Sequence, residues 1–459
     1  MVKRRAEIVA LCLAALLYTG LVPVYNRYPF SCVLQEQSIK SITGKVVSSP
    51  IKSSSGKSYL ISLDVSEVAS SDTRAGCSGI VGLYVPAEYI EALYPGKLYS
   101  SANVALPENN SEIVTNGNDI SGTKKDIHGN GINGYDVAES SSLPLIEIGC
   151  LLSAEVSYSG SADGDYLSLL SGNIEKPTFS VKRVTECVWK RSYQFYRAYL
   201  RLQLKRLLAA WGAAGGLLLA LLCGAREYTD LSVSEAFRNA GLSHILALSG
   251  MHLSLFSGLS EKTVGKIVGQ RFSSYLSLAA ALLFVWFAGL SPSLLRALIC
   301  LCISLFASVF CLKTTPVKTL SLAFIIHLII SPEDVGSLAF MLSYLALCGV
   351  YIGDSFFKKP LCHIMPPLLA SNVSVSIGAQ VLTMPLSIAI SGSIIPAAVV
   401  SSVSVSPVAS FFVTSGIIAI VFVLVMPFLL VPVGSILSMI YNALVYLVRF
   451  FAGIPCIRV

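Results

Sequence analysis

Gly241-Leu-Ser-His-Ile-Leu-Ala-Leu-Ser-Gly-Met-His-Leu253 is almost wholly apolar, yet it carries His244, Ser249, Gly250 and His252 within nine positions. A plain lipid-facing span has no use for two imidazoles and a central Ser-Gly pair. Polar side chains and irregular backbone at membrane depth are tolerated where they face protein or a water-filled path. The stretch therefore points to a polytopic membrane protein with a polar route through it.

Composition agrees. The chain has 459 residues, 54% hydrophobic and 13% charged, with a mean hydropathy of +0.70. Soluble domains carry roughly a quarter charged residues. The charge is uneven: 21 of the 33 Lys and Arg lie before residue 207. This predicts a polar front part and a helical membrane part. The twelve cysteines form no C-x-x-C metal pattern. Cys32, Cys77, Cys150 and Cys187 lie in the polar part, where an oxidising compartment would permit one or two disulfides of unspecified pairing.

Residues 1–25 open with Lys3-Arg4-Arg5 and continue apolar from Ile8, as an uncleaved anchor helix does. Residues 26–180 read as a small β domain. Short alternating runs at Ile42–Val47, Tyr59–Val65, Ile80–Val85, Lys97–Val104 and Leu145–Val156 are separated by turn residues. Residues 107–140, rich in Asn, Gly, Ser and Asp, predict a long disordered loop. Five short strands with one long insertion fit an OB-like barrel or another small β-sandwich. Residues 181–206 interleave Lys190, Arg191, Arg197, Arg201, Lys205 and Arg206 with aromatic side chains. That pattern predicts a basic amphipathic helix at a membrane interface, or one that pairs with phosphates and stacks on bases.

Residues 207–459 read as the membrane domain. Apolar segments fall near 207–224, 273–290, 294–312, 317–331, 336–353, 373–391, 394–409, 411–431 and 434–452. With 8–25 they give about ten spans. Pro385, Pro396, Pro407, Pro427 and Pro432 read either as breaks in helices along a transport route or as ordinary membrane-helix prolines. If 242–259 is re-entrant, eleven of the twelve basic residues after 207 become cytosolic and only Arg296 lies at an outer turn. The β domain is then external or periplasmic. If 242–259 spans, the later loops reverse. Charge counting admits both.

Several stretches resemble a known family. Gly224-Ala-Arg-Glu with Ala236-Phe-Arg-Asn-Ala-Gly-Leu-Ser-His-Ile-Leu-Ala-Leu-Ser-Gly-Met-His-Leu resembles the signature of ComEC-type competence proteins. Leu290-Ser-Pro-Ser-Leu-Leu-Arg-Ala, Phe340-Met-Leu-Ser-Tyr and Ala379-Gln-Val-Leu-Thr-Met-Pro-Leu resemble later segments of that family, in the right order. The resemblance implies an inner-membrane channel that passes single-stranded DNA into the cytoplasm during natural transformation. It also implies a DNA receptor, an ATP-driven motor and a separate nuclease as partners, beside membrane lipid; a homo-oligomer stays open. Met341 stands where the family has Gln. Many relatives add a metallo-β-lactamase-type domain, whose chemistry needs a cluster such as H-x-H-x-D-H. The chain has five His and no such cluster, so no DNA cleavage by that route is expected. No catalytic residue, cofactor or metal site is expected, and no Walker A motif occurs.

The pore or DNA-path candidates are His244, Ser249, Gly250, His252, Arg296 and Gln380, with His327 a weaker one. The imidazoles read as packing groups, as lining of a hydrated path, or as metal ligands short of partners. Ser249-Gly250 reads as a turn or a close helix contact. Ser291 and Pro292 predict the start of a helix that places Arg296 one turn inside. Arg296 then contacts phosphate, snorkels to the interface, or makes a structural pair. The rival functions are transport of another anionic or polymeric substrate, and a non-conducting membrane scaffold.

Overall fold

The computed structural model describes residues 30–53, 56–70, 73–91, 113–116, 144–161, 177–190, 192–225, 228–246, 250, 253–255, 258, 270–332, 334, 337–391, 393–455 and 457–458. It forms two compact units, one from within Tyr28–Asp165 and Ile174–Ala209, the other from Ala210–Val459.

The first unit is a closed five-stranded barrel. Its strands are β1 (Ser41–Val46), β2 (Ser58–Ala69), β3 (Ile80–Pro86), β4 (Leu151–Ser161) and β5 (Pro177–Trp189). β1 pairs β2, β2 pairs β3, β5 pairs β4 and β4 returns to β1, all antiparallel; β3 and β5 are parallel. This cyclic order, 1-2-3-5-4, is that of an OB-fold. Alternate residues point inward, so Ile42, Val46, Ile61, Leu63, Val81, Leu83, Leu152 and Phe179 fill the interior. Gly44 sits at a register shift in β1, where a Cβ would lie 2.9 Å from the Leu63 side chain.

The expected helix over 181–206 is corrected here. Residues up to Trp189 belong to β5, and helix α1 runs from Ser192 to Ala209. Val181, Val184 and Val188 are buried at helical intervals because register shifts opposite Ala154, Val156 and Gly160 break the two-residue alternation of β5. The expected strand Lys97–Val104 and most of the 107–140 loop lie outside the described residues.

Helix α1 lies on its own barrel with the charged side inward. Arg201, Lys205 and Arg206 are buried, whereas Tyr193, Tyr196 and Leu200 are exposed. Two of these cations, Arg201 and Lys205, meet Glu147, which is 2% exposed. Lys205 Nζ lies 2.7 Å from Glu147 Oε2, and Arg201 Nη2 lies 3.9 Å from Oε1. Ser49 Oγ donates to the same carboxylate at 3.1 Å and accepts from Arg201 Nη2 at 3.1 Å. Phe195 packs edge-on against Trp189.

The second unit is helical: α2 (Gly212–Cys223), α3 (Leu231–Asn239), α4 (Ser243–Leu246), α5 (Gln270–Ala288), α6 (Pro292–Val309), α7 (Pro316–Ile330), α8 (Leu338–Leu361), α9 (Pro367–Ser391), α10 (Ala398–Val425) and α11 (Leu430–Ala452). Five helices are long and apolar enough to cross a membrane, within α6, α8, α9, α10 and Pro427–Ala452. Three shorter apolar helices accompany them, Gly212–Cys223, Tyr275–Ala288 and Pro316–Ile330.

The expected count of about ten spans is not reached among the described residues. Segments 394–409 and 411–431 merge into the single helix α10, which continues through Pro407. Likewise α9 continues through Pro385. Each proline removes one backbone hydrogen bond, and the rest of the ladder holds. α2 has 12 residues, about 18 Å at 1.5 Å per residue, short of a hydrocarbon core of about 30 Å. Segment 8–25 lies outside the described residues.

Glycines set the closest helix contact. A Cβ at Gly378 on α9 would lie 2.6 Å from Gly353 Cα on α8, and one at Gly349 would lie 2.7 Å from Ala379 Cα. Backbone, not side chain, is in the way, so neither helix can yield locally. Gly378→Leu is expected to destabilise this pair by about 1–3 kcal/mol or more. Faster proteolytic cutting of the detergent-solubilised chain, next to wild type, would register it; unchanged resistance would contradict the close contact.

Candidate functional site: a buried arginine at a helix junction

The site is built at the starts of two helices. Ser291 caps α6, accepting from Leu294 N at 3.4 Å, with Pro292 in the first turn. This is the expected start, and it places Arg296 about one turn in. Ser337 caps α8 by accepting from Phe340 N at 3.2 Å. That start aims Phe340, Ser343 and Tyr344 at the neighbouring helices.

Arg296 is 8% exposed. Its Nη1 donates to the backbone carbonyl of Ser343, and its guanidinium carbon stands 5.9 Å from the centre of the Tyr344 ring. Gly250 approaches from the opening stretch: a Cβ there would lie 3.2 Å from Ala297 Cβ and 3.6 Å from Arg296 Nη2. Gly250 thus lets its own backbone come close to α6 beside the guanidinium. The arginine is held inside the helical unit rather than extended to an interface. No ion pair joins it to a carboxylate among the described residues, and its Nε–H has no acceptor there.

A second polar group adjoins it. His327 of α7 is fully buried. Its Nδ1 lies 3.1 Å from Tyr344 Oη and its Nε2 3.2 Å from Asp334 Oδ2. Tyr344 Oη also donates to the Ala323 carbonyl at 3.3 Å. The Phe340 ring meets the imidazole edge-on at 4.9 Å. Asp334, His327, Tyr344 and Arg296 therefore form one polar run inside apolar walls made by Leu295, Ile299, Ala323, Leu328 and Phe340.

The other expected candidates are dispersed. His244 stands exposed on the one-turn helix α4. Ser249 and His252 lie outside the described residues. Gln380 is half-buried on α9, where Thr383 Oγ1 donates to its carbonyl at 3.4 Å. Met341 is half-buried near the start of α8. In the barrel unit, Lys190 is exposed, Arg191 lies outside the described residues, and Arg197 Nη2 donates to Ile148 O at 3.1 Å. Burial, with the Arg201 charge next to it, pushes the Arg197 guanidinium below its ordinary pKa. Among the described residues no group of three or more His, Cys, Asp or Glu could hold a metal ion.

Sequence reasoning missed Tyr344, Ser343 and Asp334. One signal was present: His327 and Asp334 are seven apart, two helical turns, and so share a face if the turn continues the helix.

The geometry joins three of the quoted stretches at Arg296: the one with Gly250, the Ser291-Pro292 turn and Phe340–Tyr344. A model of the competence protein family matches residues 221–459, more than half of the chain. The chain belongs to the competence protein family. It is also similar to ComE operon protein 3 of Bacillus subtilis (strain 168), 26% identical over 172 residues, which is 37% of this chain and 22% of that relative. The matched part thus spans about a fifth of the curated relative's length. No solved structure matches the chain significantly. The family match contains the whole junction of Gly250, Arg296, His327 and Tyr344, and excludes the barrel, which is recognised by its strand order instead.

Proposed function

We propose that this competence-family chain acts in DNA uptake, forming or contributing to the inner-membrane channel that passes single-stranded DNA into the cytoplasm. The observation that carries the reading is Arg296, a buried guanidinium without a carboxylate partner among the described residues. A permanent charge in an apolar helical unit marks a substrate or ion path unless it is neutralised, and a phosphodiester is the planar-fork acceptor arginine suits best. Conduction, not bond making, is the mechanism. The donors of Arg296 left over from Ser343 engage successive phosphates, and Tyr344 keeps the fork oriented by its ring face. Motor, receptor and nuclease are separate partners. The barrel unit lies outside the cytoplasm. The exposed Tyr193, Tyr196 and Leu200 of α1 rest at the bilayer surface, where tyrosine rings favour the headgroup level.

Cells lacking the chain should bind and cut labelled duplex DNA at the surface yet hold no labelled strand in the cytosol, and the intact gene should restore it. Unchanged cytosolic label in a demonstrably competent host would favour a transporter of another anionic substrate.

A further inference from the structure

Two buried donors meet at the Arg296 junction without an acceptor. Arg296 Nε–H and the Ser343 hydroxyl have no hydrogen-bond partner among the described residues. The two residues are joined by the bond from Arg296 Nη1 to the Ser343 carbonyl, so hydroxyl and guanidinium stay neighbours. A serine or threonine inside a helix commonly bonds back to the carbonyl one turn earlier. Ser304, Thr383 and Thr414 do so here; Ser343 does not. On the side of Nη2 stands Gly250, which brings no side chain to it. The charge is equally unanswered among the described residues. A guanidinium keeps its proton, and the titratable groups that interact with it, Cys300, Tyr344 and Tyr351, are neutral near pH 7 at their ordinary pKa values. Asp334, the carboxylate of the same polar run, ends on His327.

An orphaned buried donor carries its whole desolvation cost. Two such donors beside an unpaired charge call for one kind of ligand: negative, accepting, and small enough for a helix junction. A cation has the wrong sign, and water supplies an acceptor but no charge. A halide is both negative and accepting, has no proton to place, and is not far above water in size. We propose that Arg296 and Ser343 hold a small inorganic anion, chloride, which neutralises the guanidinium while no strand is present. It lies at the edge of the guanidinium fork, away from the face of the Tyr344 ring, whose negative quadrupole repels anions. A strand phosphate then displaces it. The anion site stands on the orphaned donors; only the displacement rests on the channel reading given above.

The test is chloride binding to the detergent-purified full chain at constant ionic strength, with gluconate as the replacing anion. The chloride NMR line should broaden in a saturable way with the wild type. Arg296→Ala should abolish the saturable part, and Ser343→Ala should weaken it by about 2- to 10-fold, the worth of one hydrogen bond. The serine change removes a single buried oxygen, so it reads the site even where Arg296→Ala fails to fold. No saturable binding in the wild type, or binding that a folded variant of either residue leaves unchanged, would overturn the proposal. A short single-stranded oligonucleotide is then added. Release of the chloride supports displacement by phosphate. Chloride retained under saturating oligonucleotide would overturn the displacement and fault the channel reading, while the anion site stands.

Discussion

Arg296→Ala is expected to lower delivery of labelled strand to the cytosol by about 10- to 100-fold while the protein still accumulates. The magnitude is that of a charge-assisted hydrogen bond, about 1.5–3 kcal/mol, with each 1.4 kcal/mol worth a factor of ten. The side chain lies among helices, so the change also removes its bond to the Ser343 carbonyl. Arg296→Lys separates the two effects. Lysine keeps the charge but loses the planar fork and the ring contact with Tyr344. It should therefore recover little transport if orientation matters, and most of it if charge alone does. A scaffold would tolerate both substitutions. His327→Ala is expected to act in the same direction but more weakly, because it touches Arg296 only through Tyr344.

Glu147→Ala has the largest expected effect on stability. It removes the buried carboxylate that Arg201 and Lys205 face. Removing one partner of a buried pair costs about 3–5 kcal/mol. Hydrogen exchange of the β4 and β5 amides in the detergent-solubilised full chain should then quicken by roughly two to three and a half powers of ten, since each 1.4 kcal/mol is tenfold. Replacing all three groups together with apolar side chains of similar volume should restore most of the protection. Unchanged exchange in Glu147→Ala would show that the triad does not fasten α1.

The same carboxylate sets an acid limit. Burial alone would raise its pKa, but the charges of Arg201 and Lys205, with hydrogen bonds from Lys205 and Ile148, bring it from 4.5 to about 2. A folded value below the unfolded one stabilises the fold at pH above the unfolded value. That contribution is lost as pH falls from about 4.5 toward about 2. Protection of the barrel amides should decline across that window, and Glu147→Gln should remove most of the dependence.

Four barrel strands were legible because each alternates cleanly enough to read. β5 was not. Its buried Val181, Val184 and Val188 fall at helical spacing, and Lys182, Arg183 and Glu186 between them complete a false amphipathic pattern. The bulges that cause it belong to the pairing with β4, which no local window contains. The basic residues of α1 misled in another way. Charge in a helix usually means a solvated face, and here Glu147, more than fifty residues earlier, turns that face inward. Arg296 stood out because a lone cation in an apolar run is costly wherever it lies. Tyr344 and Asp334 did not, since a tyrosine in a hydrophobic helix and an aspartate in a turn need no partner until the fold supplies one.

The central claim is that the strand passes beside Arg296. The direct measurement is photocrosslinking of a strand arrested in transit by a bulky block at its trailing end. A photoreactive side chain would replace Met341, which lies one turn before Tyr344 on α8. A second would replace Phe411, an exposed apolar residue on α10. The expected result is a crosslink from position 341 and none from 411. An arrested strand that crosslinks from neither position, or from 411 alone, would contradict a DNA path at the Arg296 junction.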